Sequence, residues 1–181
     1  MKQTIIVLAF LLTACNSVPV DKSKSTTKPT INNLTQVKLP FSSICGASLT
    51  VFDEDSIQLF ISDIPDNLRF GGLLKSAENY SAILLLDTYA DYQIHYLTTV
   101  NKQGKIIETF DLFSYGCSED EFFWGKTNYT IEKDLRILQT DTSATYKRTE
   151  SGEVIKESIV SSSHRHEYYV DANGKIKKYG T

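Results

Sequence analysis

The sequence predicts an all-β domain, an antiparallel meander that forms a curved sheet, a sandwich or a small barrel. Beyond residue 38, runs rich in β-branched and aromatic residues alternate with turn signals at intervals of roughly ten residues. Three hairpin turns share a glycine followed by a charged and a β-branched residue, at Gly104, Gly152 and Gly174. Helical periodicity is scarce, so strands should make up nearly all of the domain.

The elements follow from local patterns in chain order. Ile83–Leu86 is a continuous apolar stretch, which predicts a central strand buried on both faces. One short helix is predicted near Asp66–Lys75, although Gly71 and Gly72 disfavour it. The predicted strands are Ala47–Phe52, Ile57–Ile61, Ala82–Leu86, Tyr92–Val100, Lys105–Phe113, Tyr129–Ile131, Leu135–Gln139, Ala144–Glu150, Glu153–Ser161, Glu167–Val170 and Lys175–Tyr179.

Residues 1–14 have the form of an export signal. One cation, Lys2, precedes the apolar run Ile5–Leu12, which is too short to remain as a membrane-spanning helix. The following Leu12-Thr13-Ala14-Cys15 resembles the lipobox of bacterial lipoproteins. This resemblance covers the leader alone. It implies cleavage before Cys15, a diacylglycerol on the cysteine sulfur and, in many species, a further acyl chain such as palmitate on the new amino terminus.

The same resemblance implies a destination. In Gram-negative lipoproteins an aspartate after the lipidated cysteine favours retention at the inner membrane, and here Asn16 and Ser17 follow Cys15. We therefore expect a lipid anchor in the outer membrane, with the domain facing the periplasm. The cell surface and a Gram-positive membrane stay open as alternatives.

Composition divides the rest of the chain into a tether and a domain. Residues 15–38 contain the lipidated cysteine and a polar segment rich in Ser, Thr, Asn, Lys and Pro, which predicts a flexible linker. Residues 39–181 are predicted to form a single periplasmic domain with 14 Lys and Arg against 21 Asp and Glu, a net charge of −7. An acidic domain repels phosphate backbones, so no nucleic acid is expected as a partner. The expected membrane contact is the lipid on Cys15.

Two cysteines follow Cys15 along the chain. Cys45 and Cys117 are an even pair in a chain sent to an oxidising compartment, which predicts a disulfide between them. Two buried free thiols and a metal site shared with a histidine are the alternatives. Neither alternative has the CxxC spacing that would favour it.

The segment 116–125 is the strongest candidate for a binding patch. It combines three acidic residues with three adjacent aromatic residues beside the predicted disulfide, a combination that recognition loops often have. The alternative is that the aromatic rings cover the core while the acids face solvent. The candidate binding residues are Glu119, Asp120, Glu121, Phe122 and Trp124.

A second pattern could bind a metal ion. His164 and His166 would project from the same face of a strand, and His95 is the one remaining histidine that could join them. A solvated strand face explains the same pattern with no metal.

The predicted function is a non-enzymatic binding module for another envelope protein or a glycan. The sequence contains no GxSxG motif and no glycine-rich phosphate loop, so neither an enzyme nor a cofactor is expected. An inhibitor or immunity protein against a toxin or a lysozyme-like enzyme is the alternative, since an acidic domain suits a basic target. A metal-dependent hydrolase that uses His164 and His166, and a structural lipoprotein, are further alternatives.

Overall fold

The computed structural model describes residues 34–52, 57–58, 60–61, 64–88, 93–113 and 117–180. The predicted leader, Cys15 and residues 16–33 of the tether lie outside these ranges. The described residues form ten strands in two antiparallel sheets, so the all-β prediction is confirmed. In this part of the chain, no helix has the length and apolar character needed to cross a membrane.

The smaller sheet is a four-stranded meander in chain order. Its strands are β2 (Leu68–Ser76), β3 (Tyr80–Asp87), β4 (Ile94–Asn101) and β5 (Ile106–Asp111). Residues 80–86 of β3 are all buried, which confirms the predicted central strand. Burial extends to both faces because Leu84 and Leu86 pack toward the larger sheet, while Ile83 and Leu85 pack on the opposite side.

The larger sheet has the strand order β1-β7-β8-β9-β10, and β6 also pairs with β7. Its strands are β1 (Phe41–Ile44), β6 (Cys117–Glu119), β7 (Phe123–Ile131), β8 (Ile137–Arg148), β9 (Val154–Val170) and β10 (Ile176–Lys178). Both β8 and β9 are longer than predicted. Each joins two predicted strands, since the polar residues between those strands continue the sheet and do not form turns.

A third layer covers the outer face of the smaller sheet. Leu34, Ile57 and Ile61 are buried there against Phe70, Leu73 and Ile83. The Val37 amide also donates a hydrogen bond of 2.8 Å to the Leu73 carbonyl. Residues 34–38, which composition places in the tether, therefore pack as part of the fold.

Three predicted elements differ from the structure. Residues 47–52 form no strand, and Phe52 donates a single backbone bond to Phe70. Residues 57 and 58 are helical, and the amides of Phe60 and Ile61 both donate to the Ile57 carbonyl, so the described residues of this predicted strand form a turn. This turn places Ile57 and Ile61 on one side, where both cover the smaller sheet.

The third difference is the helix predicted near Asp66–Lys75, which is strand β2. Both glycines are required by the sheet. A Cβ on Gly71 would lie 2.9 Å from the Leu86 side chain, so glycine allows Leu86 to pack directly against the backbone of β2. Gly72 has a φ of 131° at a break in the register, a conformation that favours glycine. The turn glycines Gly104, Gly152 and Gly174 have the predicted positive φ values.

Candidate binding surface

Strands β7, β8 and β9 extend beyond the part of the larger sheet that the smaller sheet covers. Residues that face the smaller sheet form rows across the three strands. In the covered row, Ile131 and Ile137 are 0% exposed. At the far end, Val160 is 69% exposed although it occupies an inward-facing position. The inner face therefore changes from core to open surface along the strands. From the core outward, the rows are Ile131–Ile137–Tyr168, Tyr129–Gln139–His166, Thr127–Asp141–His164, Gly125–Ser143–Ser162 and Phe123–Thr145–Val160.

The two rows next to the core are polar. The buried carboxylate of Asp141 accepts a hydrogen bond of 2.7 Å from the Thr127 hydroxyl, and His166 Nε2 lies 3.4 Å from its other oxygen. Gln139 donates a 3.1 Å hydrogen bond to the Leu112 carbonyl. These contacts give partners to the Asp141 carboxylate and the Gln139 amide nitrogen, which would otherwise be costly to bury. The Gln139 amide oxygen is buried without a hydrogen-bond partner among the described residues.

The three histidines do not converge. His95 lies on β4 and is fully buried, with its Nδ1 atom 2.8 Å from the Tyr129 hydroxyl. Burial lowers the pKa of His95 to about 4, so that its ring is neutral at pH 7. His164 is exposed, while His166 contacts Asp141. Within the described ranges, no three His, Cys, Asp or Glu residues are grouped so that they could hold a metal ion.

Small residues separate the polar rows from the open end. Ser143 and Ser162 form a hydroxyl pair at 3.0 Å, and Gly125 lies beside them on β7. The Phe123 ring leans over Gly125, since a Cβ at that glycine would lie 3.1 Å from the ring. A larger residue at position 125 would push Phe123 away, so glycine permits the position of the ring.

A shallow groove of about 650 Å³ lies at the open end. We define the distal patch as its aromatic and aliphatic residues Phe122, Phe123, Tyr146 and Val160. Phe122 is 53% exposed and Val160 is 69% exposed, whereas Phe123 is half-buried and Tyr146 is buried, so the patch presents the side chains of Phe122 and Val160 to solvent. Asp120, Glu121 and Lys147 also line the groove and give it a polar rim.

Hydrogen bonds fix the β6–β7 turn that holds Phe122. The Phe122 amide donates 2.8 Å to Oδ1 of Asp120, and the Asp120 amide donates 2.8 Å to the Phe123 carbonyl. Strand β8 reaches across to the same turn: the Tyr146 hydroxyl donates to the Asp120 carbonyl, and Arg148 Nε donates to the Glu121 carbonyl at 2.8 Å. The exposed ring of Phe122 is thus attached to a well-bonded backbone.

The predicted disulfide between Cys45 and Cys117 is present. The Cys45 amide donates to the Thr127 carbonyl, and Cys117 pairs with the neighbouring Lys126. Strands β1 and β6 therefore follow one another along the same edge of β7, and the disulfide joins them end to end. This arrangement ties the β6–β7 turn to the folded body.

The predicted binding residues are divided between two separate clefts. Asp120, Glu121 and Phe122 lie together at the groove. Trp124 occupies an outward-facing position on β7, where Lys126 lies 5.8 Å from the centre of its ring. Glu119 pairs with Trp124 at the start of β7 and lines a separate cleft.

Sequence reasoning missed Tyr146 and Val160 as members of this surface. Both occupy ordinary strand patterns. Tyr146 is itself buried, with 7% of its surface exposed, whereas Val160 is 69% exposed because the smaller sheet ends before it covers this residue, and no local signal shows where that sheet ends.

Comparisons with known proteins give no relative from which to transfer a role. The chain matches no protein-family model, no curated protein and no solved structure. The function is therefore argued from the surface itself.

Proposed function

We propose that this chain is a lipid-anchored, non-enzymatic binding module that contacts another envelope protein through the distal patch. The observation that carries the proposal is the exposure of Phe122 and Val160, which line the same groove. Exposed aromatic and aliphatic side chains grouped in a groove are typical of protein contact sites.

The rim of the groove suggests the chemistry of the partner. Two carboxylates, Asp120 and Glu121, line it together with one cation, Lys147. The domain beyond residue 38 also has a net charge of −7. A partner that inserts an apolar side chain between Phe122 and Val160, with basic residues beside it, would complement both the apolar groove and its rim.

The proposed anchor is compatible with this contact. Leu34 enters the fold in the layer on the outer face of the smaller sheet, whereas the distal patch belongs to the larger sheet. A tether from Cys15 would thus reach the domain on the layer remote from the larger sheet. The lipobox resemblance of Leu12–Cys15 supports the anchor itself.

Substitution of the patch tests the proposal. The immobilised chain of residues 16–181 is exposed to an envelope extract of the source bacterium, and the retained protein is identified and quantified. Phe122→Ser and Val160→Thr remove apolar area from the groove. Because a buried Phe side chain contributes about 1.5–3 kcal/mol, we expect Phe122→Ser to weaken retention by about tenfold or more.

Ile44→Ser is the matched control, since Ile44 is 60% exposed on a different part of the larger sheet. Circular dichroism checks that each variant folds. Equal retention by the wild type and both patch variants would contradict the proposal. Recovery of glycan instead of protein would also contradict it, whereas capture of a basic hydrolase would identify the contact as inhibition.

A further inference from the structure

A second cleft lies beside the disulfide, apart from the groove at the distal patch. Its volume is about 460 Å³, and the described residues that line it are all different from those that line the groove. Small-molecule sites typically have volumes of about 300–1,000 Å³. The Cys45–Cys117 disulfide forms part of its wall and fixes β6 at the edge of β7. This space, which we call the disulfide cleft, is therefore preformed and of ligand size.

The disulfide cleft contains one open aromatic ring. Trp124 lines it, is half-buried and, in the described part of the chain, belongs to neither hydrophobic core cluster. The Nζ atom of Lys126, an exposed residue, lies 5.8 Å from the centre of the ring. Because a hydrated ammonium group reaches the ring, this face of the indole is not packed against apolar protein. It offers an apolar surface with a negative electrostatic potential.

Polar side chains without partners stand on the same side of the strands. Glu119 lies directly opposite Trp124, and Lys126 follows Trp124 two residues along β7, so alternation places all three together. Glu119 and Lys126 are both exposed, and neither forms a hydrogen bond or an ion pair with a described residue. The disulfide cleft thus offers a carboxylate acceptor and an ammonium donor beside an aromatic face.

This combination favours an uncharged ligand with several hydroxyl groups. One carboxylate and one ammonium oppose each other, so neither an anion such as phosphate nor a cation gains a net attraction. A sugar ring matches the groups present: its hydroxyls can donate to Glu119 and accept from Lys126, while its C–H face stacks on the indole.

We infer that the disulfide cleft binds a neutral saccharide, with one sugar ring stacked on Trp124 and its hydroxyls bonded to Glu119 and Lys126. The inference goes beyond the proposed function, which concerns a protein contact at a separate groove. Because the two sites share no lining residue, each claim can fail without the other.

The fluorescence of the chain reports on this cleft directly, since Trp124 is its single tryptophan. Purified residues 16–181 are titrated with cellobiose, maltose, lactose and N,N′-diacetylchitobiose to about 20 mM, well above a Kd of about 1 mM. We expect at least one of these neutral disaccharides to give a saturable change in emission. Sodium phosphate at the same concentrations should give none.

Substitutions test the roles of the side chains. Glu119→Ala and Lys126→Ala each remove a charged hydrogen-bond partner and should weaken saccharide binding by about tenfold or more. Glu150→Ala and Lys133→Ala, on the exposed β8–β9 and β7–β8 turns, are the matched controls and should leave the affinity unchanged. Trp124→Ala removes the fluorophore, so saturation-transfer NMR of the sugar protons measures the expected loss of binding.

Circular dichroism of each variant separates lost binding from lost folding. An emission unchanged by all four disaccharides would overturn the inference, as would saturation transfer that persists in a folded Trp124→Ala variant. A response to phosphate in place of the sugars would overturn the assignment of a neutral ligand.

Discussion

At the residue scale, His95 links proton binding to folding. It lies at 0% exposure between the sheets, and its Nδ1 atom shares a hydrogen bond with the Tyr129 hydroxyl. Burial lowers the pKa of His95 from 6.5 to about 4, and burial also raises the pKa of Tyr129. The buried pair is therefore neutral at pH 7, which spares the core an uncompensated charge.

The expected consequence is a loss of stability in mild acid. Below pH 6.5 the unfolded chain binds a proton at His95 that the folded chain does not bind until about pH 4. The contribution of neutral His95 to the unfolding free energy is thus complete above pH 6.5, and it falls as the pH drops toward 4. The total loss is about 3 kcal/mol of unfolding free energy, from roughly 1.36 kcal/mol per pKa unit.

Urea unfolding at a series of pH values measures this effect. His95→Gln should flatten the pH dependence between about pH 4 and 6.5, even if it lowers stability at every pH. His164→Gln, at an exposed position, serves as the control. A wild-type stability that is constant through this interval would contradict the assignment.

At the element scale, the disulfide makes one edge from two short strands. The four residues of β1 and the three of β6 are each too short to hold a sheet edge firmly. Because Cys45 and Cys117 lie at consecutive positions along β7, their bond converts the pair into a continuous edge. The same bond restrains the β6–β7 turn that presents Phe122.

Removal of the disulfide should loosen this edge before the rest of the sheet. The cysteines are 72 residues apart, so Cys45→Ala with Cys117→Ala should lower the unfolding free energy by about 2–4 kcal/mol. Hydrogen exchange should show faster exchange of the amides in β1 and β6 than in β3. Uniform protection in wild type and variant would contradict a local role for the bond.

At the scale of the whole molecule, the sequence predicts local elements better than their assembly. The β class, the buried strand at Ile83–Leu86, the glycine turns and the disulfide follow from periodicity, turn chemistry and an even cysteine count. The helix predicted near Asp66–Lys75 was wrong, although Gly71 and Gly72 already disfavoured it. The segment is a strand because it pairs with β3, a tertiary contact that local propensity does not contain.

The candidate surface was only partly predictable, because local composition is visible in the sequence whereas the extent of the smaller sheet is not. The acidic and aromatic residues at 120–122 have a recognisable composition, and the structure places all three at the groove. Val160 could not be recognised, because its exposure depends on where the smaller sheet ends. Trp124 was grouped with Phe122 by sequence proximity, but Trp124 lies within β7 and lines the separate cleft beside the disulfide, whereas Phe122 lies in the preceding turn and lines the groove.

The central claim is that the distal patch is where another envelope protein binds. A photo-crosslinking amino acid at position 122, introduced into the full chain in the source organism, tests it most directly. We expect one discrete adduct that contains a single envelope protein, that weakens when Val160→Thr is added, and that is absent when the crosslinker stands at position 133. Adducts of equal yield from positions 122 and 133, or none from position 122, would contradict the claim.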